Sequence, residues 1–244
     1  MQIGIIGYGR FGQLLACYLA RDFSIQVFDP RVSQLPNTPS RITLAADLPT
    51  ICRNPVLILA VPISQVETLL REIRRYLRPE TLLIDVCSVK EKPVEWMLQW
   101  SPPEVQLLGT HPMFGPDRAA QSLAGKKIVL CKIRIRPDLY DQICRYLRQQ
   151  GLLLIEKTAT EHDREIALSQ GLTHFIGRAL IDLPANSQET DTEGYRRLIK
   201  ILEVVQNDSW ELFRDINRYN RFSKAVRDRL RGCLEAVDRK LQDD

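Results

Sequence analysis

Three stretches of the 244-residue chain combine residue types and spacings that can do chemistry. The first is Gly7-Tyr8-Gly9-Arg10-Phe11-Gly12, directly after the apolar run Gln2-Ile3-Gly4-Ile5-Ile6. Gly7 suits a tight turn, Gly9 leaves the backbone bare for a pyrophosphate, and Gly12 lets a helix pack closely on the strand. Arg10 and Phe11 lie in the turn, and the start of the helix that follows offers unpaired N–H groups and partial positive charge to phosphates. Asp29 follows about 20 residues later, where an acidic side chain meets the ribose of a dinucleotide. An ordinary strand-to-helix turn needs only one of those glycines. The expected cofactor is NADP or NAD: Asp29 suits the ribose diol of NAD and repels a 2′-phosphate, whereas Arg31 can clamp one.

The second stretch is split. Ser88 lies in Asp85-Val86-Cys87-Ser88-Val89-Lys90, and His111 in Gly109-Thr110-His111-Pro112-Met113-Phe114-Gly115-Pro116. Each segment reads as a loop after a strand, and ligands of open parallel sheets lie beyond the carboxyl ends of the strands. A hydroxyl and an imidazole from adjacent loops can then meet near a nicotinamide. The imidazole removes an alcohol proton as hydride leaves, while Ser88 holds the same hydroxyl or orients the ring. A histidine after a strand also serves as a turn residue bonded to backbone, and position alone does not separate the two readings. Val61 and Pro62 follow another strand and fall near the ribose. The third stretch places Gln170, His174 and Arg178 at i, i+4 and i+8, along one helix face. A polar stripe on a largely buried helix is either a cleft wall or a hydrogen-bonded interdomain seam. His162, beside Asp163 at a helix start, reads as structural.

The elements that must hold these residues follow from periodicity. Strands are expected at 2–6, 24–28, 41–44, 55–62, 81–86, 105–108, 127–130 and 152–155, with helices at 13–21, 46–52, 64–76, 91–100 and 137–149. The unbroken apolar run from Pro55 to Pro62 reads as a strand covered on both faces. This alternation predicts an α/β fold, a Rossmann-type doubly wound sheet over residues 1–157. An all-helical C-terminal domain follows over 158–244, with helices at 160–183, 192–206 and 209–241, the last broken once. Gly171 and Gly177 cost helix stability and mark close packing against another backbone. A few helices bury little surface alone. The helical domain is therefore expected to pack on the first domain and on a second copy, giving a homodimer.

Hydrophobic residues make up 44% of the chain and charged residues 26%, as in soluble globular proteins. A net charge of +4 demands no nucleic acid and would not repel an acidic substrate. The six cysteines show no C-x-x-C pair and no metal-ligand rhythm, so no metal is expected and a reducing, cytoplasmic compartment is. No apolar run is long enough to span a bilayer. The chain enters a strand at once, which leaves no room for a signal peptide.

The histidine segment 109–116, the Ser88 segment, His162-Asp163 and Leu172-Thr173-His174 together resemble the prephenate/arogenate dehydrogenases of tyrosine biosynthesis. The wording His-Pro-Met-Phe-Gly-Pro and Thr-His-Phe-Ile-Gly-Arg is most similar to the plant-type arogenate dehydrogenases, over residues 1–225. The resemblance implies a Rossmann domain with a helical dimerisation domain, and oxidative decarboxylation of arogenate or prephenate. It pulls the cofactor toward NADP. It implies that His111 accepts the proton of the ring C4 hydroxyl as hydride passes to nicotinamide, that Ser88 bonds that hydroxyl, and that His174 lines the substrate pocket. Asn220 falls where members often carry an asparagine in the last helices.

One departure stands out. Where many members carry a carboxylate-clamping arginine, this chain reads Glu203-Val204-Val205-Gln206. The anchor is then Arg178, Arg196, Arg197 or Arg214. Asp208 either reads the ammonium of arogenate by charge complementarity or caps the helix that starts near Ser209. Two other classes fit the same plan: a β-hydroxyacid dehydrogenase or imine reductase, and a dinucleotide-binding regulatory protein without turnover. The hydroxyacid enzymes place a lysine on the first long interdomain helix, where this chain offers His174.

Overall fold

The computed structural model describes residues 1–35 and 38–242. Pro36 and Asn37 of the proline-rich stretch 30–39, and Asp243 and Asp244 of the charged tail, lie outside the described residues. The chain divides into two units, Met1–Thr160 and Glu161–Asp244.

The first unit is an α/β layer structure. Its strands are β1 (Gln2–Ile6), β2 (Ser24–Phe28), β3 (Ile42–Leu44), β4 (Val56–Leu59), β5 (Leu82–Asp85), β6 (Gln106–Pro112), β7 (Lys127–Arg134) and β8 (Leu153–Glu156). They form one eight-stranded sheet in the order β3-β2-β1-β4-β5-β6-β7-β8. The strands from β3 to β6 run parallel, β7 is antiparallel to β6, and β8 runs parallel with β7. The chain leaves β1 toward β2 and β3, then returns to pair β4 on the other side of β1. That reversal opens a crevice at the carboxyl ends of β1 and β4, where doubly wound sheets bind ligands. Connecting helices are α1 (Arg10–Leu19), α2 (Leu48–Ile51), α3 (Ile63–Ile73), α4 (Glu91–Trp100), α5 (Pro116–Ala119) and α6 (Pro137–Gln149). Ile5, Ile25, Val27, Leu57, Leu59, Leu83, Leu107 and Leu108 are wholly buried in the sheet. Each fully buried side chain of this size contributes about 1.5–3 kcal/mol, so the strand edges that carry functional residues stand on a dense base.

The segment after β6 corrects the sequence reading. Residues 109–116 were expected to be loop, but β6 continues through Pro112, with Thr110 opposite Leu130, His111 opposite Val129 and Pro112 opposite Ile128 of β7. The apolar run Ile128-Val129-Leu130-Cys131 supplies an antiparallel ladder that extends β6 beyond the end of its parallel pairing with β5. His111 is thus held by a strand, which fixes its backbone more firmly than a loop would.

The second unit is helical. α7 (Ala159–Ile166) leads through a π turn, Ala167–Gly171, into α8 (Leu172–Asp182). α9 (Glu193–Ile199), α10 (Leu202–Val205), α11 (Trp210–Tyr219) and α12 (Ser223–Gln242) follow. The expected helix 160–183 is continuous apart from the π turn, and the expected helix 192–206 is split near Lys200 and Ile201. The Thr192 side chain caps α9 by accepting from Tyr195 N–H, and Ser209 caps α11 by accepting from Leu212 N–H. At Gly177 an added Cβ would come 2.6 Å from Val205 Cγ2, so the missing side chain lets α8 and α10 approach.

Candidate active site

The crevice is built by the glycine turn. Gly7 adopts φ +101°, and a Cβ there would collide with the Ala60 carbonyl at the end of β4. Its N–H donates to Phe28 O at 2.8 Å, which ties the turn to β2. Gly12 presses so closely on the Gly7 carbonyl that no side chain fits. Gly9, by contrast, faces open space, with nothing within 4 Å of where a Cβ would stand. It is also the N-cap of α1 and makes no side-chain cap bond, so the N–H groups of the first turn have no side-chain acceptor from the cap. A bare backbone concavity at a helix N-terminus fits the pyrophosphate of a dinucleotide.

Around that turn the structure places the other expected cofactor residues. Arg10 pairs with Asp117 Oδ1 at 2.5 Å, and the Phe11 ring lies 6.4 Å from Phe114. Tyr18 O–H donates to Ala119 O at 2.6 Å, so the segment after β6 is strapped to α1 at three points. Val61 and Pro62 are half-buried at the end of β4, and Pro62 is the N-cap of α3. The Asp29 carboxylate is buried. It accepts from Tyr8 N–H at 2.9 Å, from Arg31 N–H at 3.0 Å and from the Arg31 guanidinium at 3.2 Å. Burial pushes the Asp29 carboxyl up, but the bonds from Arg31 and Tyr8 outweigh it and hold the group below its ordinary value. Arg31 itself is 73% exposed.

Ser88 and His111 stand at the carboxyl ends of the neighbouring strands β5 and β6. Asp85 and Gly109 are register partners, Ser88 is three residues beyond the first and His111 two beyond the second. His111 is buried and Ser88 half-buried. The same two segments carry a pair to which sequence reading assigned no task. Lys90 is the bulkiest wholly buried side chain among the described residues. Its Nζ forms an ion pair with Asp85 Oδ1, also wholly buried, and donates to Thr110 O at 2.5 Å. Asp85 Oδ1 also accepts from Cys87 N–H at 2.9 Å, and Thr110 Oγ1 donates to Asp85 O at 2.7 Å. The sequence offered little signal, because Lys90 is followed by the charged Glu91 and Lys92, and only its placement shows an ammonium that needs partners.

In the helical unit the expected stripe becomes a cluster. His174 is buried, and its Nε2 lies 3.5 Å from Asp208 Oδ2. Burial lowers the His174 pKa; Asp208 pulls it up and Arg178 pushes it down, and the balance stays below the ordinary value of 6.5. The ring is therefore neutral at neutral pH. Arg178 donates to the Asp208 carbonyl and lies over the rings of Trp210 and Phe213. Gln170 sits within the π turn, which shifts it out of the simple i, i+4 register. Gln170 Oε1, His174 Nδ1 and Arg178 Nε are all buried without a hydrogen-bond partner among the described residues. Native proteins leave few such groups, and several in one cluster suit a polar ligand. Asp208 does not cap α11, because Ser209 does. Asn220 is buried at the break between α11 and α12; it donates to Asp163 O at 2.7 Å and accepts from Phe222 N–H at 3.0 Å. His162 is buried against Asp163, with Nδ1 2.7 Å from Oδ1. Of the four candidate anchors, Arg178 joins His174, whereas Arg196 and Arg197 pair with Glu193 and Arg214 with Asp215.

Comparison with known proteins decides the family. Residues 43–155 match the family model described as prephenate dehydrogenase, nucleotide-binding domain. Arogenate dehydrogenase 2, chloroplastic, of Arabidopsis thaliana is 32% identical over 250 residues, covering 99% of this chain and 70% of that protein. The chain belongs to the prephenate/arogenate dehydrogenase family. Arogenate dehydrogenase 1, chloroplastic, of the same plant is likewise 32% identical over 99% of this chain, which spans 39% of that protein's length. Residues 179–244 match a second model, TYRAAT1-like, C-terminal domain. Two solved structures share the fold. Synechocystis arogenate dehydrogenase superposes with a TM-score of 0.73 at 21% identity over 100% of this chain and 92% of its own. Prephenate dehydrogenase from A. aeolicus, solved with hydroxyphenyl propionate and NAD+, gives 0.73 at 19% identity over 98% and 88%. The family's nucleotide-binding model begins at residue 43, so the glycine turn of this dehydrogenase lies outside the matched stretch.

Proposed function

We propose that this chain is an NAD(P)-dependent dehydrogenase of tyrosine biosynthesis that oxidatively decarboxylates arogenate or prephenate, with His111 as base. The observation that supports this reading is the register of β5 against β6: Asp85 pairs with Gly109, so Ser88 and His111 both follow at the carboxyl ends of neighbouring strands. A bound nicotinamide dinucleotide supplies the hydride acceptor. Gly7, Gly9 and Gly12 shape the bare turn that holds its pyrophosphate, with Arg10 and Phe11 at the helix start and Val61 and Pro62 along the crevice. His111 takes the proton of the substrate's C4 hydroxyl, and Ser88 holds that hydroxyl. The C4–H pair leaves as hydride and C4 becomes a carbonyl; the electron pair of the C1–carboxylate bond then enters the ring with release of CO2, and the proton held by His111 returns to the C4 oxygen, leaving an aromatic phenol. Within the helical unit, Gln170, His174 and Arg178 are the residues assigned to the substrate's polar groups, Arg178 as carboxylate anchor, with Asn220 tying the α11–α12 break to α7. Asp208 favours arogenate, because its carboxylate complements an ammonium that prephenate lacks.

The NAD or NADP choice stays between two side chains: the Asp29 carboxylate, engaged by Tyr8 and Arg31, suits a ribose diol, and the exposed Arg31 guanidinium suits a 2′-phosphate. Six free thiols support a reducing compartment, and the chloroplastic names of the Arabidopsis relatives favour a plastid over the expected cytoplasm. Among the described residues no helix is long and apolar enough to cross a membrane. Homodimerisation through the helical unit is supported by α12, where Leu234, Val237 and Leu241 recur on one face and are exposed. Leu234→Glu with Val237→Glu is expected to yield a smaller species by size-exclusion chromatography with light scattering.

The deciding assay measures turnover of arogenate and prephenate with each of NAD and NADP. Arogenate is expected to be the better substrate, and equal efficiency on prephenate would remove the role given to Asp208. His111→Asn is expected to bind cofactor normally and to lose about 10²–10⁴ in turnover. Unchanged turnover would place the base elsewhere.

A further inference from the structure

We propose that Lys90 and Asp85 are positioning residues: their buried pair clamps the carboxyl ends of β5 and β6 so that Ser88 and His111 are presented in one fixed geometry. The proposal rests on the reading of Ser88 and His111 given above. Three observations carry it. Ser88 lies inside the arch that runs from Asp85 to Lys90 and is closed by the ion pair between them. Lys90 Nζ also grips the carbonyl of Thr110, the residue before His111, at 2.5 Å. Thr110 answers by donating its hydroxyl to the Asp85 carbonyl at 2.7 Å, so the two strand ends are tied in both directions. All three residues are buried, and both members of the ion pair wholly so.

Stability alone does not call for this arrangement. A buried ion pair is often no better than a well-packed apolar pair of similar volume, because desolvation cancels the attraction. What the pair adds is direction: an ammonium that must meet both a carboxylate and a carbonyl admits far fewer backbone positions than leucines do. The arch holding the hydroxyl and the strand holding the imidazole therefore share one fixed point. A displacement of about 1 Å in a reacting group costs about 10²-fold in rate.

The test separates positioning from folding. Lys90→Leu combined with Asp85→Leu removes both charges. It is expected to fold, to bind NAD and NADP with dissociation constants within about threefold of the parent, and to lose kcat by about 10²-fold while substrate KM moves far less. A double variant with kcat within about threefold of the parent overturns the proposal. Should that variant fail to fold, Thr110→Val and Thr110→Ser decide. Thr110→Val removes one tie without a buried charge and is expected to lower kcat several-fold with cofactor affinity kept, while Thr110→Ser restores it. Parental kcat in Thr110→Val then overturns the proposal. His111→Asn, assayed in parallel with the fastest substrate and cofactor pair, keeps the two readings apart. Full turnover in it defeats the assignment of the base, whereas loss in it together with an active double variant defeats only the clamp.

Discussion

The carboxyl edge of the sheet and the polar cluster of the helical unit both contain buried polar atoms, and they are finished differently. At the sheet edge, Asp85, Lys90 and Thr110 answer one another, as do Asp29, Tyr8 and Arg31, and a single carboxylate oxygen, Asp85 Oδ2, is left over. In the helices, Gln170 Oε1, His174 Nδ1 and Arg178 Nε all lack partners among the described residues. A satisfied network specifies one geometry, whereas an unsatisfied one holds free energy that a suitable ligand releases. On the proposed function, the first region is a mount and the second a receptor.

The contrast can be broken most forcefully at the mount. Lys90→Met alone strands a buried carboxylate and is expected to cost about 3–5 kcal/mol of stability, read by urea unfolding. At the receptor the sign reverses. Gln170→Leu removes an unsatisfied acceptor, so unfolding stability is expected to hold or rise by up to about 1 kcal/mol while substrate KM climbs about tenfold. A large stability loss in Gln170→Leu would show that the cluster is a structural network after all. The smallest effect is on pH. The buried His174 ring has a lowered pKa, so below its ordinary value of 6.5 the unfolded chain takes up a proton that the folded chain refuses. This contribution to stability is full above pH 6.5 and declines as pH falls through that value. Unfolding at pH 7.5 and 5.5 is expected to show a smaller difference in His174→Gln than in the parent.

The two regions were also unequally legible in the sequence. The glycine turn, the acidic end of β2 and the apolar strands announce themselves through spacing and period, because local geometry dictates those residues. The continuation of β6 through His111 depends on a partner strand that begins fifteen residues beyond Pro112, and no local pattern carries that pairing. Lys90 was hidden for another reason. Lysine usually belongs in water, and its burial follows only from Asp85 across a bend and Thr110 on the next strand. In the helices the spacing of Gln170, His174 and Arg178 was plain. What it could not reveal was Asp208, held against His174 by the path of the chain between α10 and α11, or the π turn, because the Gly171 that ends it fits an ordinary close helix contact equally well. Ser209 rather than Asp208 takes the capping role because its hydroxyl reaches Leu212 N–H at 3.1 Å.

That π turn makes residue count a functional variable. Successive residues of an α-helix are about 100° apart around the axis, and the wider loop at Ala167–Gly171 holds surplus backbone that an even winding would not contain. Excising one residue there would let 159–182 wind evenly and would roll His174 and Arg178 about a quarter-turn relative to α7. A one-codon deletion, neutral on many helix surfaces, would here re-aim the face that carries His174 and Arg178.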